Sequence, residues 1–215
     1  MKRTDKFKGV IPAFYACYDD KGEISPERVR KFAEYLISKK IQGLYVCGSS
    51  GECIYMTEEE RILVLENVMA VAKGKVTVIA HVAAMSTRES ERLAKHAQKC
   101  GADALAALPP FYFALPEYAI EQYWKAMIDA SDLPFIIYNI PGTTHYTLSM
   151  ELFQKMKRYD KVIGVKNSSM PVQDIQRFKA SGGEDFIVFN GPDEQFIAGR
   201  LMGADAGIGG TYGVM

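Results

Sequence analysis

The chain has 215 residues, with 26 lysines and arginines against 26 aspartates and glutamates, and no Pro/Ser/Gly-rich linker, which argues for one large domain over two small ones. With no basic cluster, this balance argues against a nucleic-acid or membrane-surface partner and points to a small molecule. No apolar run approaches the ~18 residues of a membrane span, the charged start has no apolar segment behind it, and Cys17, Cys47, Cys53 and Cys100 show neither CxxC spacing nor a nearby pair of histidines, so the expectation is a cytoplasmic protein with reduced thiols and no zinc site.

Short apolar runs alternate with amphipathic segments from the start. A strand over Gly9–Cys17 is followed by a helix capped by Ser25 with Pro26 at its first position, its apolar face carrying Val29, Phe32, Ala33, Leu36 and Ile37. A strand over Gly43–Cys47 leads into Gly48-Ser49-Ser50-Gly51-Glu52, where the two glycines are expected to let the backbone turn sharply. Thr57 and Glu60 then form a capping box for a helix reaching Ala72. After a strand over Val76–Val82, Ser86 and Glu89 predict a second box, and that helix runs to Cys100 with Gly101 as its left-handed cap. The alternation continues with strand Ala104–Leu108, helix Glu117–Ala130, strand Pro134–Ile140, helix Ser149–Lys157, strand Val162–Lys166, helix Val172–Ala180, strand Phe186–Phe189, helix Glu194–Met202 and strand Ala206–Thr211. Gly101-Ala102-Asp103 and Gly203-Ala204-Asp205 are the same tripeptide, each closing a helix just before a strand. Eight strands and seven helices at this regularity favour a (β/α)8 barrel over a doubly wound open sheet, and neither GxGxxG nor GxxxxGK[ST] is present.

In a barrel the chemistry gathers at the C-terminal ends of the strands. Lys166 ends an apolar strand whose alternation puts Gly164, Lys166 and Ser168 on one face and Val165 and Asn167 on the other. On the inner face its amine would lose hydration, which favours the neutral nucleophile that forms a Schiff base; on its own the segment equally allows a lysine that snorkels to solvent or pairs with an acid. The Gly48–Glu52 loop is either an anion cradle suited to a carboxylate or an ordinary tight turn. Tyr138 is either a proton carrier beside the lysine or a core tyrosine. Asp193 and Glu194 either hold the hydroxyls of a polyol or favour the helix that follows through its dipole. His81 reads as a satisfied core histidine and His96 as a solvated one.

Together, Gly48-Ser49-Ser50-Gly51-Glu52, Tyr138-Asn139-Ile140-Pro141-Gly142, Gly164-Val165-Lys166 and Gly191-Pro192-Asp193-Glu194 resemble the dihydrodipicolinate synthase/N-acetylneuraminate lyase family of class I aldolases, over essentially the whole chain. The resemblance implies a (β/α)8 barrel, usually a homotetramer, acting on pyruvate without metal or cofactor. It casts Lys166 as the imine-forming residue and Tyr138 as the proton shuttle. Ser49, Ser50 and the Gly51 amide would hold the pyruvate carboxylate, with the Ser50 hydroxyl relaying protons to Tyr138, and Tyr112 would serve a neighbouring subunit's site. Within the family, the Ser49-Ser50 pair, Ser168, and Asp193-Glu194 after Gly191 favour a lyase of a polyhydroxylated 2-oxo sugar acid, and Thr143 stands where synthases carry an arginine for their second substrate's carboxylate. Gly210 departs from the serine that sialic acid lyases use for the substrate's tail. The alternatives are a synthase condensing pyruvate with aspartate semialdehyde, and a catalytically silent relative that binds a sugar acid. A further expectation is that residues 1–215 are one barrel domain truncated at its C-terminus, without the eighth helix and further helices that family members carry.

Overall fold

The computed structural model describes residues 4–215; the first three residues of the charged start lie outside them. Eight strands, β1 (Gly9–Pro12), β2 (Gly43–Val46), β3 (Thr77–His81), β4 (Ala104–Ala107), β5 (Phe135–Asn139), β6 (Val162–Asn167), β7 (Ile187–Asn190) and β8 (Ala206–Gly209), form one sheet in the order β1-β8-β7-β6-β5-β4-β3-β2. Every recorded ladder is parallel, and every residue of β2 to β8 is buried, as a sheet covered by helices requires. Between them lie α1 (Pro26–Ser38), α2 (Glu58–Ala72), α3 (Thr87–Cys100), α4 (Glu117–Asp129), α5 (Pro141–Thr144), α6 (Met150–Met156), α7 (Gln173–Gly182) and α8 (Phe196–Leu201). The barrel expectation holds over the open sheet.

Closure falls where β1 ends. The predicted strand over Gly9–Cys17 is shorter, Gly9–Pro12; just past it Ala13 N–H donates to the Gly209 carbonyl of β8 at 2.9 Å, and Phe14 N–H to the Tyr45 carbonyl of β2 at 2.8 Å. The chain there lies between β8 and β2, and its bond to β2 joins the two ends of the strand order.

The first predicted capping box forms, with Glu60 N–H donating to Thr57 Oγ1 at 3.2 Å and Thr57 N–H to Glu60 Oε2 at 2.7 Å; of the second, only the half in which Glu89 N–H donates to Ser86 Oγ at 3.2 Å is made. The repeated tripeptide is one structure used twice. Gly101 and Gly203 take φ of 87° and 99°, which only glycine adopts without strain. Each following aspartate then accepts from the backbone of the preceding strand, Asp103 from Val78 N–H and Asp205 from Val188 N–H, both at 2.9 Å. These side chains tie the bottom of β3 to β4 and of β7 to β8.

Two elements differ from expectation. Pro141–Thr144 makes a short helical turn, since Pro141 is preset for a first helical position and Thr144 Oγ1 donates back to the Ile140 carbonyl at 3.0 Å. The helix expected over Glu194–Met202 begins as a 3-10 turn at Asp193–Gln195 and becomes α-helical only at Phe196. After β8 the described chain makes a 3-10 turn at Thr211–Gly213.

Candidate active site

At the C-terminal mouth, β5 and β6 pair Tyr138 directly with Lys166. The predicted alternation holds: Lys166 points inward, 5% exposed, with its Nζ 3.7 Å from the centroid of the Tyr138 ring and 4.6 Å from that of Tyr45. Tyr138 is 2% exposed, and Lys166, Ser49 and Ser168 all hydrogen-bond its hydroxyl. Burial alone would raise the phenol, but the Lys166 charge and these three hydrogen bonds outweigh it and hold Tyr138 below the ordinary tyrosine range. A nucleophilic amine packed beside a phenol that can accept a proton is the pairing that Schiff-base chemistry uses.

The Gly48–Glu52 loop is built differently from expectation. Its left-handed residues are Cys47 and Glu52, each at φ 58°, while Gly48 and Gly51 have ordinary φ. The glycines are required by close approach: a Cβ on Gly48 would lie 2.4 Å from the Tyr45 ring, and one on Gly51 2.7 Å from the Phe14 carbonyl oxygen. The Gly51 amide, expected to hold a carboxylate, already donates to the Gly48 carbonyl at 3.0 Å within the turn. The two serines lie differently. Ser49, which directly follows the strand-end glycine, reaches the phenol, whereas the Ser50 side chain lies beside Gly210, where a Cβ would meet Ser50 Oγ at 3.2 Å.

Across the mouth, Asp193 bonds to the turn after β8. Its Oδ2 accepts from Thr211 N–H at 2.7 Å and from Thr211 Oγ1 at 2.8 Å, while its buried Oδ1 has no partner among the described residues. Such an acceptor is suited to a ligand hydroxyl. Glu194 is exposed, and Gly191 sits so close to Ser168 that a Cβ there would lie 2.0 Å from its Oγ. The Tyr15 hydroxyl donates to the Gly210 carbonyl, anchoring the end of β8. Lys166, Tyr138, Ser49, Ser168, Asp193, Gly191 and Gly210 therefore share one mouth. Tyr112 does not join it: it is 74% exposed on the loop after β4, edge-on to Phe113 with ring centroids 4.8 Å apart. A cavity of about 440 Å³ opens on the β2–β4 side, reaching Ser49, Arg61, His81 and Thr143.

Sequence reasoning missed Tyr45. It is 1% exposed, meets Tyr138 edge-on at 6.0 Å, and its buried hydroxyl has no partner among the described residues. The parity of β2, which alternates Tyr45 with Leu44 and Val46, carried the signal. His81 is the satisfied core histidine expected, its Nδ1 2.9 Å from the Cys47 carbonyl oxygen. His96 is not solvated as expected; it is half-buried, with Nε2 3.1 Å from Glu66 Oε1 and 3.3 Å from Cys100 Sγ.

Residues 6–215 match the dihydrodipicolinate synthetase family. The chain is 58% identical to an N-acetylneuraminate lyase of Mediterraneibacter gnavus, over 100% of this chain and 69% of that protein, and 38% identical to N-acetylneuraminate lyase 2 of Escherichia coli O6:H1, over 98% and 69%. It superposes on a catalytic-lysine mutant of Ruminococcus gnavus sialic acid aldolase with a TM-score of 0.98 at 58% identity, covering 100% of this chain and 71% of that one.

Proposed function

Because the chain belongs to the dihydrodipicolinate synthetase family, we propose that it is a class I, Schiff-base lyase that cleaves N-acetylneuraminate, or a closely similar polyhydroxylated 2-oxo acid, to pyruvate and an aldehyde. The observation that carries this is the Lys166 amine packed 3.7 Å from the Tyr138 ring centroid at the mouth of the barrel, in a chain 58% identical to an N-acetylneuraminate lyase.

The chemistry follows from that pair. The Lys166 amine attacks the 2-oxo carbon of the open-chain substrate; water leaves, and a protonated imine remains. The electron pair of the C3–C4 bond flows into the imine as the C4 hydroxyl gives its proton to the Tyr138 oxygen, releasing the aldehyde and leaving an enamine. The enamine takes a proton at C3, and water hydrolyses the imine to pyruvate and the free amine. Hydrogen bonds from Ser49 and Ser168 favour the ionised phenol that this step needs. The Ser49 and Ser50 hydroxyls hold the substrate carboxylate. Ser168, Asp193 and Glu194 face the polyol, with Gly191 and Gly210 leaving it room, and the unpartnered Asp193 Oδ1 supports that assignment.

The exposed Tyr112 belongs to a neighbouring subunit's site in a homotetramer, and the chain forms a single barrel domain working in the cytoplasm. Two observations support the location: the four free cysteines, and the absence, among the described residues, of a helix long and apolar enough to cross a membrane. A synthase role is disfavoured by Thr143, which carries no charge to pair with a second carboxylate.

Borohydride reduction in the presence of pyruvate, read by peptide mass spectrometry, is expected to add one pyruvyl unit at Lys166, and N-acetylneuraminate to release pyruvate in a coupled assay. Label at another lysine, or none, overturns the Schiff-base assignment; efficient condensation with aspartate semialdehyde and no cleavage overturns the choice of lyase.

A further inference from the structure

On the outside of the barrel, far along the chain from any mouth residue, α3 carries His96 and Cys100 one turn apart, on the same helix face. Glu66 of the neighbouring α2 reaches across to them. The His96 Nε2 is 3.1 Å from Glu66 Oε1 and 3.3 Å from Cys100 Sγ, and the three donor atoms all lie within 4.8 Å of one another. From these distances we propose that Glu66, His96 and Cys100 form a surface site for a thiophilic divalent cation of the Zn²⁺ class, separate from the mouth of the barrel.

The geometry is that of a coordination shell not yet closed around an ion. Bonds of about 2.3 Å to sulfur and about 2.0–2.2 Å to nitrogen and oxygen, held tetrahedrally, separate neighbouring donors by about 3.3–3.6 Å. The two measured contacts to Nε2 fall short of that range or at its lower edge, and all three donors lie within 4.8 Å of one another, so the shell is within reach of side-chain movement. The donor set also suits the charge. A thiolate and a carboxylate neutralise a dication, a neutral imidazole completes three ligands, and water takes the fourth position. A sulfur and an imidazole together disfavour Mg²⁺ and Ca²⁺, which take oxygen donors.

Binding exchanges a proton for the metal: the Cys100 S–H bond breaks, the sulfur bonds to the cation, and the proton goes to solvent. Lys73 donates to the Cys100 carbonyl at 3.4 Å, which fixes the end of α3 where the sulfur is presented.

The test titrates the full chain, reduced with a phosphine, with Co²⁺ and then Zn²⁺. One Co²⁺ per chain is expected, with a near-ultraviolet thiolate-to-metal band that Zn²⁺ abolishes by displacement. Cys100→Ser should remove the band, and His96→Gln and Glu66→Gln should each weaken Zn²⁺ binding about tenfold or more. Pyruvate trapping at Lys166 should be unchanged in all three variants, which separates this site from the mouth and reports that they are folded. No band in the unaltered chain overturns the proposal. So does a band that survives in Cys100→Ser, which would assign the metal to Cys17, Cys47 or Cys53.

Discussion

Lys166 and Asn167 are consecutive, polar and buried, at 5% and 1% exposure, yet the two faces of β6 use them in opposite ways. On the outer face, the side chains are linked in a chain of hydrogen bonds. Asn139 Nδ2 donates to Asn167 Oδ1 at 2.7 Å, Asn167 Nδ2 to Ser169 Oγ at 2.8 Å, and Ser169 Oγ to Asp174 Oδ2 at 2.8 Å, while Leu148 N–H donates to Asn139 Oδ1 at 3.0 Å. On the inner face, the Lys166 ammonium has aromatic rings and one phenol, with no carboxylate among its recorded contacts. A closed network of amides and a carboxylate holds β5, β6 and α7 in register and has no proton to spare. The inner face leaves the amine facing the phenol and the open mouth. The same strand is a structural clamp on one side and a reactive surface on the other.

Replacing the inner residue should show the largest effect. Lys166→Met is expected to abolish pyruvate trapping and lower cleavage by roughly 10³-fold or more, as for loss of a covalent nucleophile. Its thermal midpoint should hold or rise, since a buried charge gives way to an apolar chain of similar length; a collapse of the melt would make the lysine structural and erase the contrast.

Next in size, Tyr138→Phe is expected to slow cleavage about 100-fold while borohydride still traps pyruvate. Ser49→Ala should slow cleavage more than Ser50→Ala, because Ser49 is the hydroxyl bonded to the phenol. The reverse order in stopped-flow cleavage assays would restore the relay through Ser50.

The outer face should respond in stability. Asn167→Leu leaves Asn139 Nδ2 without its acceptor, at about 1–3 kcal/mol for a buried orphan, and removes the donor to Ser169 Oγ, which keeps its bond to Asp174. A lowered denaturant midpoint with trapping at Lys166 retained per folded molecule is the expected result, and unchanged stability would show that the network can re-form without Asn167.

The smallest effect sharpens the contrast within the inner face. His81 is inward, edge-on to Tyr138 at 6.1 Å, but tied to backbone through the Cys47 carbonyl. Burial first, then the Arg61 and Lys166 charges, hold its imidazole well below the ordinary value. Below about pH 6.5 the unfolded chain takes up a proton that the folded chain refuses, so stability falls on acidification, by up to about 1.4 kcal/mol per pH unit until the folded value is reached. Urea midpoints at pH 7.5 and 5.5 should differ in the unaltered chain and converge in His81→Gln. An equal pH slope in the variant would assign the acid sensitivity elsewhere.

Much of this was legible before any coordinates. The regular alternation of apolar runs and capped amphipathic segments determined eight parallel strands and the helices between them, because burial on both faces, helix caps and left-handed glycines are local demands that leave local marks. Period-2 parity was enough to put Lys166 and Asn167 on opposite faces. Tertiary structure alone decided which serine meets Tyr138, that Gly48 and Gly51 answer to the Tyr45 ring and the Phe14 carbonyl, and that Asp193 turns to Thr211. It also set Glu66 beside His96 and Cys100. Most of these depend on a distance between residues far apart in the chain, set by barrel closure and helix packing, and the close approach of Gly48 to the Tyr45 ring depends on how that ring is turned into the barrel.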